Sequence, residues 1–327
     1  MDVTVTADAA VLSELKDRRA KRREERRDFF RLAGGVAAGA AGTMVLTACG
    51  GHSTSTASAQ SSTPSDADIL NFALNLEYLE ANFYSYAATG TSIDSSLMTG
   101  TGTQGAVIPG HKAALTSPLV IAYANEIVKD EINHVKFLRG ALGTSAVAQP
   151  AIDVSPGGAF TTAAMAAGLI TSGTFDPYAS DEAFLLGAYI FEDVGVTAYH
   201  GASPLISKKT YLDAAAGILA VEAYHAGLVR TALYALGLQQ PAPAIDPYAA
   251  TAAISALRAK LDGTNNDDQG IAGANSTISN IVDADSNTIA YDRTTGQVLN
   301  IVYGTAAAAA GGLFFPNGMN GNIRMSA

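Results

Sequence analysis

The chain has 327 residues, of which 48% are hydrophobic and 15% charged, so it can bury a sizeable core. Abundant Ala, the absence of Trp and the scarcity of alternating Val/Ile runs favour helices over sheets. A net charge of -10 argues against nucleic acid as a partner, because phosphate recognition needs a basic face, and the single cysteine, Cys49, excludes an internal disulfide framework.

Charge is unevenly placed. Residues 1–48 hold 9 Lys+Arg and 7 Asp+Glu, leaving 11 against 23 in the rest. Arg26-Arg27-Asp28-Phe29-Phe30-Arg31 is a twin-arginine pair followed by aromatics, and the weakly apolar run Leu32 to Ala48 is too short and too small in side chain for a comfortable membrane span. The run ends in Leu46-Thr47-Ala48-Cys49, which resembles a lipobox. Residues 1–48 are therefore expected to be a twin-arginine lipoprotein signal peptide, with lipidation at Cys49 and a lipid anchor as the contact with a membrane. The expected location is exported: periplasmic or anchored to the outer membrane. Residues 49–65, Ser/Thr/Gly-rich and almost uncharged, read as a flexible tether.

Four helices follow. The first spans Asp66 to Ala88, with Ile69, Phe72, Ala73, Leu76, Phe83 and Tyr84 at helical spacing and Ser65 or Asp66 as cap. The second opens at Ser117-Pro118 and runs to Arg139, with Gly140 as its stop. The third runs from Asp181 to His200 before Gly201 and Pro204, and the fourth from Lys208 to Leu236 before Gly237. About forty residues separate the second from the third, far beyond an ordinary loop, and within them Ala159 to Ile170 reads as a short helix. One long crossover in an all-α four-helix bundle, here residues 66–238, is the ferritin-like topology. The C-terminal extension, 239–327, holds a fifth helix over Ala249 to Leu261. A capping box at Thr294 to Gln297 leads into Val298 to Tyr303, and an apolar tail at Phe314-Phe315-Pro316 is expected to pack on the bundle. Asp283-Ala284-Asp285-Ser286-Asn287 starts like a calcium loop but has Thr294 where the closing Glu belongs, so it reads as a turn.

Two of the five histidines lie in Glu-x-x-His, Glu131 to His134 and Glu222 to His225, where chance would place roughly 0.15 such motifs. Residues i and i+3 share a helix face, so both side chains can reach one ion. The first and third helices add Glu77 and Glu192, each followed seven residues later by a tyrosine, Tyr84 and Tyr199. The two halves thus repeat one pattern, Glu-x6-Tyr and then Glu-x-x-His. Either tyrosine is a core aromatic, or it hydrogen-bonds a ligand glutamate or donates an electron. Glu80 shares the face of Glu77 but matches Gly195 in the other half, and it reads as an outer or surface residue. Asp193 is expected to point away from the site, and His111 and His200 to be solvated.

This pattern resembles the ferritin-like di-iron and di-manganese carboxylate proteins. More narrowly, Leu74-Asn75-Leu76-Glu77-Tyr78-Leu79-Glu80-Ala81 and the Pro316-Asn317-Gly318 tail resemble the exported bacterial ferritin-like, desiccation-related family. The resemblance implies two divalent ions, Fe or Mn, with Glu77 and Glu192 as single ligands, Glu131 and Glu222 bridging, and His134 and His225 terminal. It leaves two functions open. One is a redox enzyme using O2 or peroxide. The other is a non-catalytic metal-binding or desiccation-protective envelope lipoprotein. Monomer and homo-oligomer both remain open.

Overall fold

The computed structural model describes residues 64–239, 244–263, 267–275 and 277–326. The twin-arginine segment, Cys49 and all but the last two tether residues lie outside the described residues. In chain order the helices are α1 (Asp66–Thr89), α2 (Pro118–Leu142), α3 (Thr161–Ala167), α4 (Asp181–Ala202), α5 (Lys209–Gly237), α6 (Pro247–Asp262) and α7 (Thr295–Tyr303). The fold is all-α and ferritin-like. Helix α1 packs most extensively on α2 and α4 on α5, and the two pairs are joined by a long crossover that carries α3. Two short strands, β1 (Val107–Ile108) and β2 (Ile152–Asp153), pair in parallel and tie the α1–α2 loop to that crossover.

Local chemistry sets the helix starts. Ser65 Oγ accepts from the Asp68 amide at 3.2 Å, and Asp68 returns the bond by accepting from the Ser65 amide at 2.9 Å. The sequence places the stops less well. Helix α2 runs through Gly140 to Leu142, since an exposed helical glycine costs only about 1 kcal/mol. Helix α4 likewise runs through Gly201, which serves a different need: a Cβ there would stand 2.0 Å from the Arg293 carbonyl oxygen. Gly201 admits a neighbouring backbone.

Helices α1 and α4 are buried on nearly every face, whereas α2 buries a single stripe through Val120, Ala124, Ile127, Glu131, Val135 and Leu138. A helix apolar all round must be covered all round. The C-terminal segment supplies part of that cover. Val298, Leu299, Ile301 and Val302 of α7 are buried, and the Phe314 ring packs edge-on against Phe191 and Phe160, with centroids 4.9 and 5.4 Å away. Further along the tail, Asn320 exchanges two hydrogen bonds with Asn75 of α1, at 2.9 and 3.1 Å.

A second attachment is ionic. Arg230, Arg258 and Arg293 are all buried. Asp193 of α4 accepts from Arg230 at 2.9 Å and from Arg258 at 3.0 Å. Asp268 accepts from Arg258 and, at 3.2 Å, from Arg293, whose Nε donates to Asp262 at 2.7 Å. Asp193 therefore points away from its neighbour Glu192, as its helix position requires. The Asp283 to Asn287 stretch is a turn: Asp285 accepts from the amides of Asn287 and Ile289 at 2.8 and 2.9 Å.

Candidate metal centre

The four bundle helices bring six side chains to one place: Glu77 from α1, Glu131 and His134 from α2, Glu192 from α4, and Glu222 and His225 from α5. All six are buried. Potential ligand atoms of Glu77, Glu131, His134 and Glu222 lie within 4.8 Å of one another, and so do those of Glu131, Glu192, Glu222 and His225. Glu131 and Glu222 belong to both groups, so the geometry is that of two adjoining positions sharing two carboxylates.

Both imidazoles turn Nδ1 inward. His134 Nδ1 lies 3.1 Å from Glu77, 3.4 Å from Glu131 and 3.3 Å from Glu222. His225 Nδ1 lies 3.0 Å from Glu131 and 3.6 Å from Glu192, while its Nε2 faces outward to Asp130 at 3.5 Å. Asp130 is an outer carboxylate of the kind that orients an imidazole, and nothing in the spacing of the Glu-x-x-His motif pointed to it.

The tyrosines cross between the halves. Tyr84 of α1 donates a short hydrogen bond to Glu192 of α4, and Tyr199 of α4 donates one to Glu77 of α1. Of the roles open in the sequence, both tyrosines therefore hydrogen-bond the two unshared glutamates. Glu80 is only 5% exposed, so it is not a surface residue. Across from it on the facing helix is Gly195, where a Cβ would clash with Glu222 Oε2 at 2.4 Å but meet Glu80 Oε1 at an ordinary 3.5 Å. The glycine makes room for the Glu222 carboxylate of its own half. His111 is exposed and pairs with Asp176 at 3.0 Å, but His200 is not simply solvated: its Nδ1 lies 3.0 Å from the Tyr291 carbonyl oxygen.

So many carboxylates in an apolar bundle perturb one another. Burial pushes Glu77 up to about 7 in spite of His134 beside it. Burial, reinforced by neighbouring carboxylates, raises Glu80 and Glu222 well above the usual range. Glu131 goes the other way: against burial, which would raise it, His134 and His225 hold it below the usual range. The histidines respond in turn. Burial would lower them, but Glu77 outweighs it for His134, and Glu192 and Glu131 lift His225 to about 12.

Even so the cluster is under-satisfied. Both oxygens of Glu131 and of Glu222, Oε2 of Glu192 and Nδ1 of His225 are buried without a hydrogen bond of acceptable geometry. Buried polar atoms are rarely left so in a stable fold, and buried carboxylates that lack partners are costly. Two divalent cations among these oxygens and nitrogens would balance the four shared and unshared glutamates and satisfy the orphaned atoms. The mixed carboxylate and imidazole donor set suits Fe or Mn. The Asp193, Asp268 and Asp283 carboxylates also come close together, but arginines already face them.

A family model described as a ferritin-like domain matches residues 65–235. The chain is 32% identical to the desiccation-related protein PCC13-62 of Craterostigma plantagineum over 268 residues, which cover 79% of this chain and 83% of that protein. It is 29% identical to the ferritin-like catalase Nec2 of Nesocodon mauritianus over 270 residues, covering 79% and 84%.

Proposed function

Because the chain belongs to the ferritin-like family, we propose that Glu77, Glu131, His134, Glu192, Glu222 and His225 hold two iron or manganese ions in a redox centre that disproportionates peroxide. The observation that carries this reading is the pair of four-ligand groups sharing Glu131 and Glu222. The similarity to a ferritin-like catalase supports peroxide as the substrate class. A pair of redox-active ions would supply the two-electron exchange that oxidises one peroxide to dioxygen and reduces a second to water. The residues around it supply order. Tyr84 and Tyr199 fix one oxygen each of Glu192 and Glu77, and the other oxygen of each faces the imidazole of His225 or His134. Asp130, 3.5 Å from the outer nitrogen of His225, is placed to orient its ring. Apolar helices exclude bulk water, which strengthens every charge interaction inside. The similarity to a desiccation-related protein favours a second reading, in which the same ions are bound for protection without turnover.

The test is metal content of the purified chain, followed by assays of peroxide disproportionation and Fe(II) oxidation. Two ions per chain and peroxide turnover are expected in the wild type, and neither in a Glu131→Ala, Glu222→Ala double variant. Gly195→Ala sharpens the test, because the new methyl takes the place Glu222 Oε2 occupies. It should weaken metal binding by at least tenfold, and the metal-free fold should change less, because the atom displaced is the far end of the Glu222 side chain and Ala is the better helix former. A folded wild type that takes up no metal would rule the centre out, and metal without turnover would select the protective reading.

We also propose that the chain is exported and lipidated at Cys49, on the ordered series Arg26-Arg27, apolar run and cysteine. Cys49→Ser should abolish lipid attachment and release the protein from the membrane fraction. Equal membrane retention of the variant would refute this.

A further inference from the structure

Two apolar cavities lie side by side, the inner one bordering Glu80 and Gly195. The inner one, about 20 Å³, is walled by Leu76, Leu79 and Val194, with Glu80 and Gly195 on the side toward the glutamates. The outer one, about 30 Å³, reaches Leu169, Leu257 and Leu313, which are partly exposed. Ile190, Ile301 and Phe314 line both, so these three side chains are the partition between them. Each cavity exceeds the roughly 10–15 Å³ that one water-sized molecule needs.

Their chemistry selects the occupant. Apart from Glu80 at the inner end, the one charged residue in either wall is Arg258. The Arg258 guanidinium is engaged by the Tyr189 carbonyl, Asp193 and Asp268, which leaves its aliphatic stem for the wall. A water needs two to four polar partners to settle in such a space, and cavities without them stay dry and take up small apolar molecules. Peroxide would give up its hydrogen bonds to water on entering. Dioxygen has none to lose.

We propose that the two cavities form a path for dioxygen between the carboxylate centre and the outside of the C-terminal segment. The identity of the gas rests on the redox reading above, in which dioxygen is a product of peroxide disproportionation or an oxidant of the reduced ions. The capacity to bind an apolar gas does not rest on it. The path explains why the C-terminal segment borders the centre: Ile301 and Phe314 belong to α7 and the tail, and side-chain rotation at the partition opens one cavity to the other.

Xenon is the probe for the binding claim, read by anomalous scattering from crystals of the protein held under the gas. Xenon is expected in both cavities of the wild type. Ile301→Phe should abolish the inner site and keep the outer. Ile301→Ala, which removes bulk from the partition, should raise inner occupancy, and it serves if the Phe variant does not fold. The two sources of dioxygen separate in kinetics of the metal-loaded protein. If dioxygen enters as oxidant, Ile301→Phe slows Fe(II) oxidation by O2 several-fold and leaves oxidation by peroxide unchanged. If it leaves as product, the variant lowers kcat for peroxide disproportionation several-fold with KM unchanged or reduced. Absence of xenon from both cavities overturns the path, as does unaltered kinetics on both arms with a plugged partition. Xenon binding in a protein that holds no metal would overturn the redox reading and leave the cavities as gas sites.

Discussion

Chelation of the metals is expected to lower the melting temperature of the folded unit, and by more at pH 8 than at pH 5. Ions that bind the folded chain and not the unfolded one stabilise it by mass action, by about 2.7 kcal/mol for one site at a hundred times Kd. At roughly 2–4 °C per kcal/mol for a unit of this size, the shift is about 5–10 °C or more. The pH dependence follows from the carboxyls of the metal-free state. Glu77 rises from 4.5 to about 7 in the folded chain, so its stabilisation is fully present below pH 4.5 and is lost as pH rises through 7. That loss is worth roughly 3 kcal/mol at 1.36 kcal/mol per pH unit. Burial raises Glu80 and Glu222 as well, and they act in the same direction. His225, raised from 6.5 to about 12, contributes stability that is present below pH 6.5 and begins to be lost above it. Glu131 is lowered, so its contribution is present above pH 4.5 and does not change between pH 5 and 8. The metal-free protein thus weakens as pH rises, while metal affinity grows because the ligands must be deprotonated. Thermal unfolding with and without chelator at the two pH values checks this, and identical melting in all four conditions would remove the metals from the stability of the bundle.

Arg258→Met should cost about 3 kcal/mol and lower the melting temperature by roughly 6–12 °C. Arg258 is 1% exposed and lies between Asp193 on α4 and Asp268 in the C-terminal segment. The side chains are of similar volume, so the loss comes from two buried carboxylates deprived of a partner. The expected cost sits at the low end for a broken buried pair because Arg230 still serves Asp193 and Arg293 still serves Asp268. Adding Asp193→Asn and Asp268→Asn removes the excess buried negative charge, while Arg230 and Arg293 keep Asp283 and Asp262 as partners, and should recover part of the loss. Recovery is the discriminating measurement: if the triple variant melts no higher than Arg258→Met, packing rather than charge holds this junction.

Residues within one turn of a helix were legible in the sequence, and residues joined by distant contacts were not. Glu131 and His134, or Glu222 and His225, declare themselves because a three-residue spacing puts both side chains on one face. The capping box at Thr294 and Gln297 was legible for the same reason. Glu80 was left open between an outer and a surface place, because its burial depends on other helices, a relation no local period expresses. The arginine network was invisible on the same grounds, since Asp193 and Arg258 are 65 positions apart. Gly140 and Gly201 look alike in sequence, yet one is an ordinary exposed helical residue and the other admits a crossing backbone.

The pairing of Asn75 with Asn320 joins residues 245 apart, at the two extremes of the folded unit. During synthesis, all six ligand residues have been made once Gly237 is added, 77 residues before Phe314. At about 5–20 residues per second that interval lasts roughly 4–15 s. For its duration α1 and α4 lack the flank that Ile301, Val302 and Phe314 later cover. A nascent chain therefore passes through a stage in which the ligand helices exist but one apolar side of the centre lies open to the cell.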